Sequence, residues 1–198
     1  YGVERPPRTE FSEVPNDGRF RVLFVGSGIQ RKGVHHLVEA WRRARLPVGA
    51  ELLIVSRVLD ETVVDPCALP DGVRIIRGMP ETELHEAYHR ASLFCMPSLI
   101  EGFGQVYLEA LADGLPVLGT KNTCLPDLGG EENGIFLAEV GDVDNLADQL
   151  ERLSVIVPGN LALQSAAREV ARECDWRIFR EKLRQVCETA VESADVTL

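Results

Sequence analysis

Short apolar runs alternate along this chain with segments whose apolar residues recur at helical spacing. That alternation most constrains the fold. Arg21 to Val25 reads as a buried strand, followed by the turn Gly26-Ser27-Gly28. Val34, Leu37, Val38 and Trp41 fall at i, i+3, i+4 and i+7, which predicts a helix over Val34 to Leu46. Further strands are expected at Glu51 to Ser56, Val73 to Arg77, Leu93 to Met96, Pro116 to Gly119 and Gly134 to Leu137. Helices are expected at Glu81 to Ala91, Gln105 to Asp113 and Asp144 to Leu153. Strands separated by helices need crossover connections, so the sheet should be parallel and covered on both faces. Leu163 to Cys174 and Trp176 to Val191 read as two helices with no strand between them. Residues 1–18 are rich in Pro and charge, lack periodicity, and read as a linker or tail. The expected fold class is α/β: one Rossmann-like domain over 19–174 and a final helix over 175–198.

In an open α/β sheet, ligands bind beyond the carboxyl ends of the strands. The loops that should matter are therefore 26–33, 56–60, 78–81, 98–104 and 119–127. Two of them have informative chemistry. Gly26-Ser27-Gly28-Ile29-Gln30-Arg31-Lys32-Gly33 joins a strand to a helix and contains two cations. A helix N-terminus beside cations favours phosphate. It is not a Walker loop, since Arg31 and Gly33 occupy the positions of the second Gly and of Ser/Thr. It is not a dinucleotide fingerprint either, which would need Gly at Arg31. The bland alternative is a βα turn with two solvated cations, and a second glycine loop weighs against it. Glu101-Gly102-Phe103-Gly104 follows the apolar strand and Pro97-Ser98, and the helix from Gln105 begins directly after it. Gly102 and Gly104 let a ligand approach the backbone. Glu101 on the loop and Glu109 on the helix suit hydroxyl groups. Together the loops point to a phosphate attached to sugars.

Net charge is −10, which argues against a nucleic-acid footprint or a polybasic membrane patch. No apolar run approaches the ~20 residues of a membrane span, and no charged-then-apolar leader opens the chain. The five cysteines are odd in number and none has C-x-x-C spacing, so reduced thiols in the cytoplasm are expected. His85-Glu86-Ala87-Tyr88-His89 matches the H-E-x-x-H zinc pattern, with Glu109 20 residues beyond His89. The apolar face there is Leu84, Ala87, Tyr88 and Ala91, which turns both histidines toward the flank. A solvated helix face is the expected reading, and no metal is expected. His35 and His36 read as helix surface near the first loop. Trp41 and Trp176 read as core, and Asp127 as a turn or cap residue.

The motifs, taken in order, resemble the carboxyl-terminal half of a family 4 retaining glycosyltransferase with the glycosyltransferase-B fold. Tyr1-Gly2-Val3-Glu4 resembles the join between the two halves of that fold. Phe24-Val25-Gly26, Arg31-Lys32-Gly33 and Leu37-Val38-Glu39-Ala40-Trp41 resemble the first unit. Pro97-Ser98, Glu101 to Gly104 and Leu108-Glu109-Ala110 resemble the E-x7-E signature. Gly114-Leu115-Pro116-Val117, Pro126-Asp127, Asn133-Gly134 and Trp176 follow in family order.

The resemblance implies a donor site for a nucleotide-diphosphate sugar, of UDP or GDP type, with no cofactor. It implies that Lys32 contacts the diphosphate and that the amides of Phe103, Gly104 and Gln105 hold the phosphates. Glu109 would bind ribose hydroxyls, Glu101 would face the donor sugar and help stabilise the transition state, and Glu101 and Lys32 would be the catalytic pair. Gly78-Met79 would edge the base, while Gly26, Ser27, Gly28 and Arg31 complete the loop. Ser27 stands where the family often has Arg, and Arg31 is a candidate for the missing charge. The family also has an amino-terminal acceptor domain, so the chain reads as a donor domain without turnover of its own. Its final helix would then pack on that missing domain, and exposed Ile178 or Phe179 would favour self-association. Two rivals are a nucleotide-sugar epimerase of the same fold and a binding module that has lost catalysis.

Overall fold

The computed structural model describes residue 2 and residues 17–195. The remainder of the expected 1–18 linker and residues 196–198 lie outside it. Six strands form one sheet: β1 (Arg21–Val25), β2 (Glu51–Val55), β3 (Val73–Ile76), β4 (Leu93–Cys95), β5 (Val117–Thr120) and β6 (Ile135–Ala138). All pair in parallel, in the order β3-β2-β1-β4-β5-β6. Every residue of β4 and β5 is buried, as a sheet covered on both faces requires.

The described residues also form seven α-helices: α1 (Val34–Arg43), α2 (Glu81–Arg90), α3 (Gln105–Ala112), α4 (Leu125–Leu128), α5 (Val143–Ile156), α6 (Leu161–Glu173) and α7 (Trp176–Asp195). The crossovers β1-α1-β2 and β4-α3-β5 step in opposite directions along the sheet. Right-handed connection therefore puts α1 and α3 on opposite faces. The packing agrees: α1 lies against α5, and α3 against α6. Between the layers sit Phe24, Leu23, Leu37, Leu93, Phe94, Tyr107 and Leu108, all essentially inaccessible. Trp41 is core as expected: it stacks on Phe20 and donates Nε1–H to the carbonyl of Asp71 at 3.2 Å.

Some expectations change. α1 ends at Arg43, not Leu46, because Ala44 is already extended (ψ 138°) and Pro47 disfavours helix at Leu46. α5 begins at Val143, since the Asp142 carboxylate caps the N–H of Asn145 at 2.9 Å. No helix connects β2 to β3. Pro66 and Pro70 interrupt that stretch. Asp60 and Asp65 hold turns through the N–H groups of Thr62 and Cys67. Ser56 and Val64 are the buried residues of that stretch. Trp176 is half-buried rather than core, edge-on to Phe179 at 5.4 Å. From Arg177 to Ala190 every side chain of α7 is exposed.

Candidate functional site

The strand order reverses between β1 and β4, which opens a crevice at their carboxyl ends. The loops leaving these two strands are the glycine loops singled out by sequence, and the fold locks them together. Leu99 N–H donates to the Arg31 carbonyl at 2.9 Å, and the Arg31 guanidinium donates to the Ile100 carbonyl at 3.1 Å. Gln30–Lys32 forms a turn of 3-10 helix that ends at Gly33 (φ 69°). A Cβ at Gly33 would lie 2.0 Å from the Pro97 carbonyl oxygen, so only glycine lets the two loops approach this closely.

Two helices start at this crevice. α1 begins after Gly33 and α3 after Gly104 (φ 79°), and neither start has a side-chain cap. Apart from Tyr107, whose N–H donates to the Gly104 carbonyl at 2.9 Å, the first-turn N–H groups lack intrahelical acceptors and carry the positive end of the helix dipole. A Cβ at Gly104 would meet the Tyr107 ring at 2.7 Å, whereas Gly102 faces open space. Tyr107, from the first turn of α3, donates its buried hydroxyl to the Met96 carbonyl at 2.6 Å. That bond ties the helix start to the end of β4, and burial pushes the phenol well above its ordinary range.

Lys32 and Glu101 meet directly: Lys32 Nζ donates to Glu101 Oε2. Arg31 Nη1 reaches the same oxygen at 3.2 Å. The side chains of Lys32 and Glu101 are only 13% and 12% exposed. Burial acts to raise the Glu101 carboxyl, but hydrogen bonding and charge from Lys32, then Arg31, outweigh it and hold the group below its ordinary range. The loop after β5 completes the floor. Glu101 N–H donates to the Asn122 carbonyl at 3.0 Å, and Asn122 Nδ2 donates to the Leu99 carbonyl at 3.0 Å. Thr120 Oγ1 donates to the Ser98 carbonyl at 2.6 Å.

The structure therefore brings together Arg31, Lys32, Gly33, Glu101, Gly102 and Gly104. Gly28 has a packing role: its N–H donates to the Val58 carbonyl at 2.7 Å and Ser56 Oγ at 2.8 Å, so it is occupied within the protein. Gly26 N–H likewise donates to Val55 at 3.1 Å, while Ser27 is half-buried beside it. The Gln105 side chain donates to the Gly2 carbonyl at 2.8 Å, so it is occupied within the protein. Phe103 packs against the core. Gly78 (φ 80°) and Met79 stand apart after β3, two strands from β1. Glu109 accepts a 3.3 Å bond from the Tyr88 hydroxyl of α2.

Asn122, Tyr88 and Tyr107 were not singled out by sequence. Asn122 had one signal, its place directly after a strand end; the two tyrosines looked like ordinary core. His35 and His36 flank the α1 start with ring centroids 4.0 Å apart, and burial lowers the pKa of both. On α2, Glu86 pairs with Arg90 and His85 sits 3.7 Å from Glu81. Among the described residues no group of three His, Cys, Asp or Glu side chains could hold a metal ion. A shallow recess lined by Ser92, Asp113 and Pro116 lies at the amino ends of β4 and β5, opposite the loops.

A parallel sheet in this order, with its open crevice at the β1–β4 switch, is a Rossmann-like α/β domain and matches one half of the glycosyltransferase-B fold. The family model for glycosyl transferases group 1 matches residues 19–154, and the chain belongs to that family. It is 31% identical over 147 residues to the MMP alpha-(1->4)-mannosyltransferase of Mycolicibacterium hassiacum, covering 70% of this chain and 36% of that protein. It is 33% identical over 158 residues to the sulfoquinovosyl transferase SQD2 of Arabidopsis thaliana, covering 71% and 31%. Among solved structures, sucrose-phosphate synthase from Thermosynechococcus elongatus superposes with a TM-score of 0.75 at 25% identity, covering 90% of this chain and 47% of that one. Anabaena HepE in complex with UDP has the same fold, with a TM-score of 0.73 at 19% identity, covering 88% and 50%. The chain thus spans about half the length of these structures and about a third of the two curated relatives. No helix among the described residues is long and apolar enough to cross a membrane.

Proposed function

We propose that this chain is the donor-binding half of a retaining glycosyltransferase that takes its sugar from a nucleotide-diphosphate sugar. One observation carries the reading: two cations and two uncapped helix starts converge on the β1–β4 crevice. That is the electrostatic arrangement a leaving diphosphate needs, since fixed cations and dipoles stabilise the negative charge developing on it. In this reading Lys32 and the N–H groups of Phe103, Gly104 and Gln105 hold the diphosphate. Glu101 faces the donor sugar, Glu109 binds the ribose hydroxyls, and the Gly78–Met79 backbone edges the base. Gly26, Ser27 and Gly28 shape the first loop, and Arg31 adds charge at its end. No metal or cofactor is required in the site. The acceptor is held by a second half of comparable size, against which the exposed face of α7 packs, so this chain alone has no turnover. Its free cysteines suit a reducing compartment, and we assign it to the cytoplasm.

The test is calorimetric titration with UDP, GDP, ADP and dTDP. UDP comes first because the HepE structure holds it. Binding of one nucleotide, weakened at least tenfold in Lys32→Ala, is expected. Nucleotide affinity unchanged in Lys32→Ala would remove the central assignment. Robust transfer by this chain to an acceptor would refute the division of labour. The relatives described above are named as transferases or synthases, and no finding favours the epimerase or non-catalytic readings.

A further inference from the structure

Building on the donor-site reading, we propose that Glu101 makes the site prefer the sugar-capped donor over the bare nucleoside diphosphate. The lysine assigned to the diphosphate is not a free cation. Its Nζ is bound to Glu101 Oε2, and Arg31 shares that oxygen at 3.2 Å. The backbone that carries this carboxylate is fixed, because the Glu101 N–H donates to the Asn122 carbonyl and Asn122 Nδ2 donates to the Leu99 carbonyl. Both the Lys32 and Glu101 side chains are almost nine-tenths covered, so water screens them weakly. Any phosphate that reaches Lys32 therefore arrives beside an anchored negative charge.

The consequence depends on how much charge the ligand brings. A terminal phosphate has a second ionisation near pH 6, so at neutral pH a nucleoside diphosphate carries about one more negative charge than its sugar ester. Glu101 repels that extra charge. A sugar esterified at the same oxygen removes it and presents hydroxyl groups, which donate to a carboxylate. The same side chain thus favours the donor and opposes the product left once the sugar has gone. Free diphosphate is released more readily, and Lys32 returns to Glu101.

The experiment titrates the unmutated chain and Glu101→Gln with inorganic pyrophosphate, UDP, UDP-glucose and uridine, with the guanosine series if UDP does not bind. Glutamine keeps the shape and removes the charge. The expected result is that Glu101→Gln binds pyrophosphate and the diphosphate about fivefold tighter, or more. The nucleoside should be unaffected and the sugar ester should bind no tighter. The gap should shrink as salt is raised. Glu101→Ala should shift pyrophosphate in the same direction, and circular dichroism should show both variants folded at the titration temperature. Diphosphate affinity unchanged or weakened in both variants, with the parent binding normally, would overturn the proposal and leave the donor site standing. No binding of any phosphate ligand by parent or variant would overturn the donor-site reading and this proposal with it.

Discussion

Gly33→Ala should disrupt the site more than any other single-methyl change in the first loop, and the structure gives the size of the effect. Gly33 has φ 69°, a left-handed conformation that costs an L-residue roughly 1–2 kcal/mol. Gly49 has φ 83° and open space around the position of a Cβ, so Gly49→Ala meets that strain alone. At Gly33 the new methyl would sit 2.0 Å from the Pro97 carbonyl oxygen. The obstacle is backbone and cannot swing aside, because proline fixes its own φ and β4 ends two residues earlier. The loops must part. Overpacking of this kind costs about 1–3 kcal/mol, and the nearby Leu99–Arg31 bond adds about 1 kcal/mol when lost. Gly33→Ala should therefore destabilise by about 3–6 kcal/mol, against about 1–2 kcal/mol for Gly49→Ala. For a chain of this size that means a drop in Tm of roughly 6–24 °C against roughly 2–8 °C. Thermal melting followed by circular dichroism, run side by side, decides it. Equal melting of the two variants would show that the close approach of the loops is not structural, and the packing argument for the site would fall.

Tyr107→Phe should cost about 1–3 kcal/mol, because it strands the buried Met96 carbonyl; urea denaturation with an unchanged midpoint would contradict this. His35 and His36 are held below their ordinary pKa of 6.5 chiefly by burial, so the unfolded chain binds protons more readily. Stability is then greatest above pH 6.5 and falls as pH drops from there toward the folded values. Denaturation midpoints at pH 7.5 and 5.5 should differ less in the His35→Gln/His36→Gln double variant than in the parent, and an equal fall in both would refute the histidine origin. Phe179, Leu183 and Val186 form an exposed apolar stripe on α7. Light scattering should show mass growing with concentration, and Leu183→Glu should suppress it; a constant monomer mass in the parent would rule this out.

The strands and most helices were legible in the sequence because their signals are local. An apolar run such as Leu93 to Met96, or the spacing of Val34, Leu37, Val38 and Trp41, reflects burial against one neighbouring layer and needs no partner to be read. The glycine loops were legible for the same reason: Gly33 and Gly104 break the chain where a strand meets a helix. Very short elements such as Gln30–Lys32 and Leu125–Leu128 escaped, since one turn holds no period. The stretch between β2 and β3 offered turn residues in place of a helix, a pattern that fixes no path on its own.

What only the tertiary structure decided is which distant residues meet. Sequence named Lys32 and Glu101 as separate ligands of a donor. The strand order places β1 beside β4, and that makes them partners across 69 positions. The hold of Asn122 on Leu99, of Tyr88 on Glu109 and of Gln105 on Gly2 arises in the same way, from hydrogen bonds that cross between elements. Periodicity reports the environment of a residue within its own element. The pairing of charges depends on how crossover connections order the sheet, and that order is settled only when the layers pack.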